Sequence, residues 1–181
     1  MRLFVAIDLP KEVKDYLFEL GRKLNKGFAK VRWVPKKNLH MTCKFIGEVE
    51  EGRLPEIKER LSKVKIEPIK CRLSKLGWFP GDNEVRVIWV GAEPEEEIIG
   101  LQQSVDAELL DLFPSDQKFT AHLTLGRVAF LKKRKEFLGL LKETSIEKLK
   151  FTIDKIKLYK STLKKEGPQY EVLESYPEKS I

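Results

Sequence analysis

Two histidines are all that the 181-residue chain contains, and each is followed two places later by a threonine. They read His40-Met41-Thr42-Cys43 and His122-Leu123-Thr124-Leu125. On an extended strand, residues i and i+2 leave the same face. Each imidazole therefore emerges beside a hydroxyl, while Met41, Cys43, Leu123 and Leu125 turn the other way into a core. Imidazole titrates near neutral pH, so of two facing rings one can take a proton while the other gives one. Threonine hydroxyls can donate to non-bridging phosphate oxygens. Two rings and two hydroxyls across a cleft make a set for attack on a phosphodiester. A single H-x-T triplet says little, whereas two that use every histidine in the chain are a pattern. No carboxylate recurs at ligand spacing beside either histidine, so neither a metal nor another cofactor is expected.

Other polar residues near the motifs divide by strand parity. Lys44 shares the parity of His40 and Thr42, which makes it a candidate for the phosphate backbone. Arg127 has the parity of Leu123 and Leu125, which turns it from the cleft unless Gly126 introduces a bulge that brings it back. Trp33, Trp78 and Trp89 are candidates for stacking on bases, against the ordinary role of tryptophan in packing. Cys43 and Cys71 have no metal or disulfide spacing and read as small buried hydrophobes.

Strands and helices must position these groups. Residues 2–8 read as a strand, and Pro10 opens a helix with Val13, Tyr16, Leu17, Leu20 and Leu24 on one face. Residues 31–34 and 39–46 are extended, broken by Pro35 and Asn38. A second helix starts near Pro55, and Ile69, Cys71 and Leu73 alternate as a strand. The turn-rich Trp78-Phe79-Pro80-Gly81-Asp82-Asn83 closes the first half. The second half repeats the order. It has a strand at 85–90 and a helix from Pro94 carrying Ile98, Leu101, Val105, Leu109 and Leu112. A strand at 119–125, a short helix near 137–141, and strands around 149–159 and 169–174 follow. This interleaving predicts an α+β fold of two similar lobes in one compact unit spanning 1–181, each lobe supplying one motif.

Composition agrees with a globular protein, with 41% hydrophobic and 35% charged residues. The net charge of +7 suits a polyanionic partner. The charges are interspersed along the chain rather than gathered into one basic tail. No apolar run approaches the length of a membrane span, and the N-terminus lacks the features of a signal peptide. The cytoplasm is the expected compartment, with no membrane partner.

The double H-x-T-x pattern resembles the two-histidine (2H) phosphoesterases. The subgroup it is most similar to is the RNA 2′,3′-cyclic phosphodiesterases, also called 2′-5′ RNA ligases. The matching stretches are residues 2–8, Arg32-Trp33-Val34-Pro35, Asn38-Leu39-His40-Met41-Thr42 and Lys44-Phe45-Ile46-Gly47. They continue with His122-Leu123-Thr124-Leu125-Gly126-Arg127, Leu158-Tyr159-Lys160-Ser161 and Gly167-Pro168-Gln169-Tyr170. The resemblance implies a bilobal fold of mainly antiparallel sheet, pseudo-two-fold, with flanking helices around a central cleft. It implies hydrolysis of a terminal 2′,3′-cyclic phosphate to a 2′-phosphomonoester without a metal. In that scheme His122 is the proton acceptor that activates water and His40 the proton donor to the leaving 3′ oxygen. Thr42 and Thr124 hold the phosphate, and Arg127 binds substrate. The expected substrates are RNA ends or oligonucleotides with a 2′,3′-cyclic phosphate, tRNA fragments among them, and the expected working form is a monomer. Two alternatives stay open: 2′-5′ ligation, with a 5′-hydroxyl in place of water, and a non-catalytic RNA-binding module.

Overall fold

A continuous apolar run along β1 (Arg2–Asp8) buries both faces of that strand, which makes it an interior strand of a sheet. The computed structural model describes residues 1–115 and 118–178. Along the chain β1 is followed by α1 (Lys11–Leu24), β2 (Ala29–Trp33), β3 (His40–Glu48), α2 (Leu54–Ser62), β4 (Ile69–Gly81) and β5 (Glu84–Glu93). The second part holds α3 (Glu95–Leu109), β6 (His122–Leu131), α4 (Arg134–Glu143), β7 (Lys150–Ile153), β8 (Ile156–Lys164) and β9 (Gly167–Tyr176). Short 3-10 turns at Lys36–Asn38 and Glu51–Arg53 precede β3 and α2.

Two antiparallel sheets result. One has the order β3-β1-β8-β9 and carries the first motif; the other has the order β2-β6-β5-β4-β7 and carries the second. The sheets do not divide where the chain halves meet. Each half contributes the pair that carries its motif, β1–β3 or β5–β6, and also strands to the opposite sheet, β2 and β4 from the first half and β8 and β9 from the second, while β7 stays beside β4. Thus β4 extends the sheet of the second motif, and the β8–β9 hairpin extends the sheet of the first.

The turn expected over 78–83 is narrower than its composition suggests. Trp78 to Gly81 continue β4, paired to β5, and only Asp82 and Asn83 make the turn. The strand expected at 119–125 begins at His122 and runs on to Leu131. Leu112 lies beyond the end of α3.

Helix α1 places Val13, Leu17, Leu20 and Leu24 in the core, with Gly21 letting Trp33 of β2 pack against its backbone. Helices α2 and α3 pack on each other and against β9 and β3. One continuous apolar core joins the helix-covered sides of both sheets. A second, small cluster of Phe4, Ala6 and Tyr159, with Tyr170 against it, lies on the other face of the first sheet. That separate cluster marks the side on which His40 emerges. No helix among the described residues is long and apolar enough to cross a membrane.

Candidate active site

His40 and His122 each open a strand, β3 and β6, and these two strands pack against each other. The first ring is held by the backbone just before it: His40 Nδ1–H donates to the Asn38 carbonyl at 2.6 Å. His122 repeats this, with Nδ1–H donating to the Thr120 carbonyl at 2.7 Å. A carbonyl can only accept, so both rings carry their neutral-form proton on Nδ1 and leave Nε2 for chemistry. The Thr42 hydroxyl lies 2.8 Å from Nε2 of His40 and donates to it when the ring is neutral.

Aromatic rings wall both imidazoles. Phe4 lies 5.1 Å and Tyr170 5.4 Å from the His40 ring, the tyrosine edge-on. Phe79 stands edge-on to His122 at 5.3 Å, with Trp89 behind it at 6.2 Å. Burial lowers the pKa of His40 from its ordinary 6.5. The Asn38 carbonyl and Asp8 oppose this shift, while Lys14 and His122 add to it. Burial also lowers His122, against the Thr120 carbonyl and with help from Arg127. The contact between β3 and β6 brings the strands that carry the two rings together, and His122 adds to the lowering of His40. Asp8 pairs in register with His40, and Lys14 and Lys157 contact its carboxylate at 2.7 and 2.8 Å. Burial pushes the Asp8 carboxyl up, but the two lysines outweigh it and hold it below its ordinary value.

Directly after each threonine the strand gains one residue. On β3, Thr42 and Lys44 pair with Ala6 and Val5, leaving Cys43 over; on β6, Thr124 and Gly126 pair with Trp89 and Ile88, leaving Leu125 over. The bulges reverse the alternation, and the first seven residues of both strands show the same burial sequence as a result. Arg127 therefore pairs with Val87 on the face of Thr124 and Trp89, towards the cleft. The glycine expected to permit this is required there: a Cβ on Gly126 would lie 2.6 Å from Val31 and 2.9 Å from Trp33. Phe45 occupies the position matching Arg127 on the other strand, 69% exposed.

The same shift overturns the phosphate role considered for Lys44. The bulge turns it inward, where it is 4% exposed and its ammonium donates to Asp106 and Ser115, each at 2.5 Å. Burial raises the Asp106 carboxyl, but Lys44 and Ser115 bring it below its ordinary value. The tryptophans are also packing residues. Trp33 lies against α1, Trp89 is buried behind Phe79, and the Trp78 indole donates to Asp82 at 2.9 Å.

Sequence reasoning did not single out the groups that support His40. Asn38 is buried and donates to the Pro168 carbonyl at 2.9 Å, tying the turn before β3 to β9 and Tyr170. Buried Gln102 of α3 donates to the carbonyl of Cys43, the bulge residue, at 3.2 Å. Asn38, Lys44 and Gln102 are the buried polar residues among those described, and all three serve the first motif. On β6 the Val34 backbone N–H meets the equivalent Leu125 carbonyl at 2.8 Å. These partners come from distant segments and leave no local signature.

A hollow of about 370 Å³ lined by Lys37, Asn38, Gln169 and Tyr170 adjoins His40. A larger one of about 440 Å³ lies between β4 and α4 and includes neither motif among its lining residues. Among the described residues no three His, Cys, Asp or Glu side chains gather into a metal-ligand group.

Comparison with known proteins points to one family. The family model described as LigT-like phosphoesterase matches twice, over residues 7–89 and 90–170. The RNA 2′,3′-cyclic phosphodiesterase of Methanocaldococcus jannaschii is 38% identical over 97% of this chain and 100% of its own. The protein of the same name from Archaeoglobus fulgidus is 37% identical over 96% of this chain and 98% of its own. A crystal structure from Thermus thermophilus superposes with a TM-score of 0.78, is 30% identical, and covers 97% of this chain and 96% of its own. Escherichia coli LigT complexed with 3′-AMP shares the fold, with a TM-score of 0.74, 23% identity, and 97% and 96% coverage. Two matched copies of the family model, each containing one bulged H-x-T strand, place this chain in the LigT-like phosphoesterase family.

Proposed function

We propose that the protein hydrolyses the terminal 2′,3′-cyclic phosphate of RNA to a 2′-phosphomonoester, with two histidines as its only proton carriers. The observation that carries this reading is the pair of Nδ1-anchored imidazoles on the packed strands β3 and β6, each sharing its strand face with a threonine hydroxyl. Relatives at 37–38% identity over nearly the whole chain bear the name RNA 2′,3′-cyclic phosphodiesterase, which supports the substrate class.

In the proposed step His122 Nε2 takes a proton from water as its oxygen bonds to phosphorus. The bond from phosphorus to the ribose 3′ oxygen breaks, and His40 Nε2–H protonates that oxygen. Charge accumulates on the non-bridging oxygens, where Thr42, Thr124 and the Arg127 guanidinium donate hydrogen bonds. General acid–base transfer of this kind contributes about 10²–10⁴ per group. A charge-assisted hydrogen bond from a threonine contributes about 1.5–3 kcal/mol. Losing either histidine is therefore the graver change.

The test is incubation with a nucleoside 2′,3′-cyclic phosphate in excess chelator, with identification of the product isomer. A 2′-phosphate formed at the chelator-free rate is expected. A 3′-phosphate product, or activity that returns only with a divalent ion, overturns the scheme.

A further inference from the structure

The basic residues are scattered along the sequence, but the pairing of β2 with β6 collects them. Residues 20–35 and 118–135 contain eleven Lys and Arg and no Asp or Glu. The two antiparallel strands place Arg32 directly opposite Arg127, and Lys30 directly opposite Phe130. Directly opposed residues of an antiparallel pair share a sheet face. Arg127 faces the cleft, so Arg32 does too, while Gly126, Val31 and Trp33 crowd the other side. Lys30 shares the face of Arg32 two residues on, and a second bulge on β6 leaves Ala129 over and brings Phe130 opposite Lys30.

All four are exposed, Phe130 to 61%. Two guanidiniums opposed across a strand pair repel one another. Among the described residues neither Arg32, Arg127 nor Lys30 has an ion-pair partner. The strip runs from His122 and Thr124 along the same strand, for about 25 Å at ~3.3 Å per residue. At its far end the exposed Lys132 and Lys133 follow β6, their backbone N–H groups bonded to the Phe28 carbonyl. Arg134 is turned away, donating to the Asp82 carbonyl.

We propose that this β2–β6 face is a track for single-stranded RNA. Arg32 and Lys30 contact backbone phosphates next to the nucleotide in the cleft, and Phe130 offers a ring for an unstacked base. Cations spaced along a strand with an exposed aromatic ring are the parts such binding requires. A duplex keeps its bases stacked and denies Phe130 a partner, so the chain on this face is single-stranded. The track rests on the reading that the cleft takes an RNA cyclic phosphate, and it makes the substrate an oligonucleotide end rather than a mononucleotide.

The experiment compares uridine 2′,3′-cyclic phosphate with a pentanucleotide ending in the same group, using wild type and the double variant Lys30→Gln, Phe130→Ser. Both positions are exposed, so the fold tolerates the change. The variant is expected to lose about 10- to 100-fold in kcat/KM on the pentanucleotide at low salt and to match wild type on the mononucleotide. Its rate on the pentanucleotide should also fall less steeply with salt. Undiminished pentanucleotide turnover, or equal loss on both substrates, overturns the track. Binding of a labelled pentanucleotide ending in a 2′-phosphate separates this from the catalytic reading. If wild type turns over no cyclic phosphate yet binds this probe about 10-fold more tightly than the variant, the enzyme reading fails and the track stands. Equal affinity sinks the track whatever the catalytic result.

Discussion

Each imidazole in this site is pinned through Nδ1 by a carbonyl two residues earlier, and that arrangement decides how the pair should titrate. Burial holds both histidines below 6.5 in the free protein. The two arms of a kcat/KM profile report the pair's apparent values in free enzyme. Both arms move to lower pH, so the maximum of kcat/KM should fall on the acid side of 6.5. A bound phosphate anion favours the protonated rings and raises both values. The kcat profile, measured on the complex, should therefore peak at higher pH than kcat/KM. A kcat/KM maximum above pH 7.5 would show that burial does not govern these rings. The two roles can also be told apart. A substrate whose leaving 3′ oxygen is replaced by sulfur needs little protonation to depart. On it, His40→Ala should regain most of its lost rate while His122→Ala stays impaired; the opposite pattern would exchange acid and base. The H-x-T spacing was enough to find these residues, because strand parity alone sets an imidazole beside a hydroxyl. The anchoring carbonyls were not legible, since every residue type carries one.

At the level of the strand, one extra residue after each threonine separates the groups that reach the cleft from those that do not. Parity from His122 sends Arg127 to the core, and parity from His40 sends Lys44 to the cleft; the bulges reverse both. Gly126 gave warning of the bulge on β6. On β3 the equivalent residue is Lys44 itself, and nothing in its neighbours announced a bulge. Its site is built from far away, by Asp106 and Ser115 for the side chain and Gln102 for the Cys43 carbonyl. Gly126→Ala tests the device directly. The added methyl meets Val31 and Trp33, and overpacking of that kind costs about 1–3 kcal/mol. For a chain of this size the melting temperature should fall by about 2–12 °C. Activity should fall too, because the edge strand carrying Arg32 must move. An unchanged melting temperature would mean that β2 yields freely.

Across the molecule, the interleaving of strands and helices was enough to read an α+β fold, and the two stretches that match the family model each hold one motif. Strand partners were harder to read. Nothing in the sequence of β4 or of the β8–β9 hairpin shows that each joins the sheet of the opposite motif, because both sheets present similar apolar faces. The basic track was hidden for the same reason: Lys30 and Arg32 lie about a hundred residues from Arg127 and Phe130 until β2 and β6 pair. This exchange of strands bears on how the protein is made. During synthesis β1 can find β3 early, but its other edge waits for β8. Until the hairpin of β8 and β9 has left the ribosome, Leu3 and Val5 belong to an open sheet edge, and Tyr170 is missing from the wall of His40. The nascent chain thus holds both histidines long before it holds a working cleft. A ribosome stalled before β8 would carry an enzyme that is silent and prone to pairing with its neighbours.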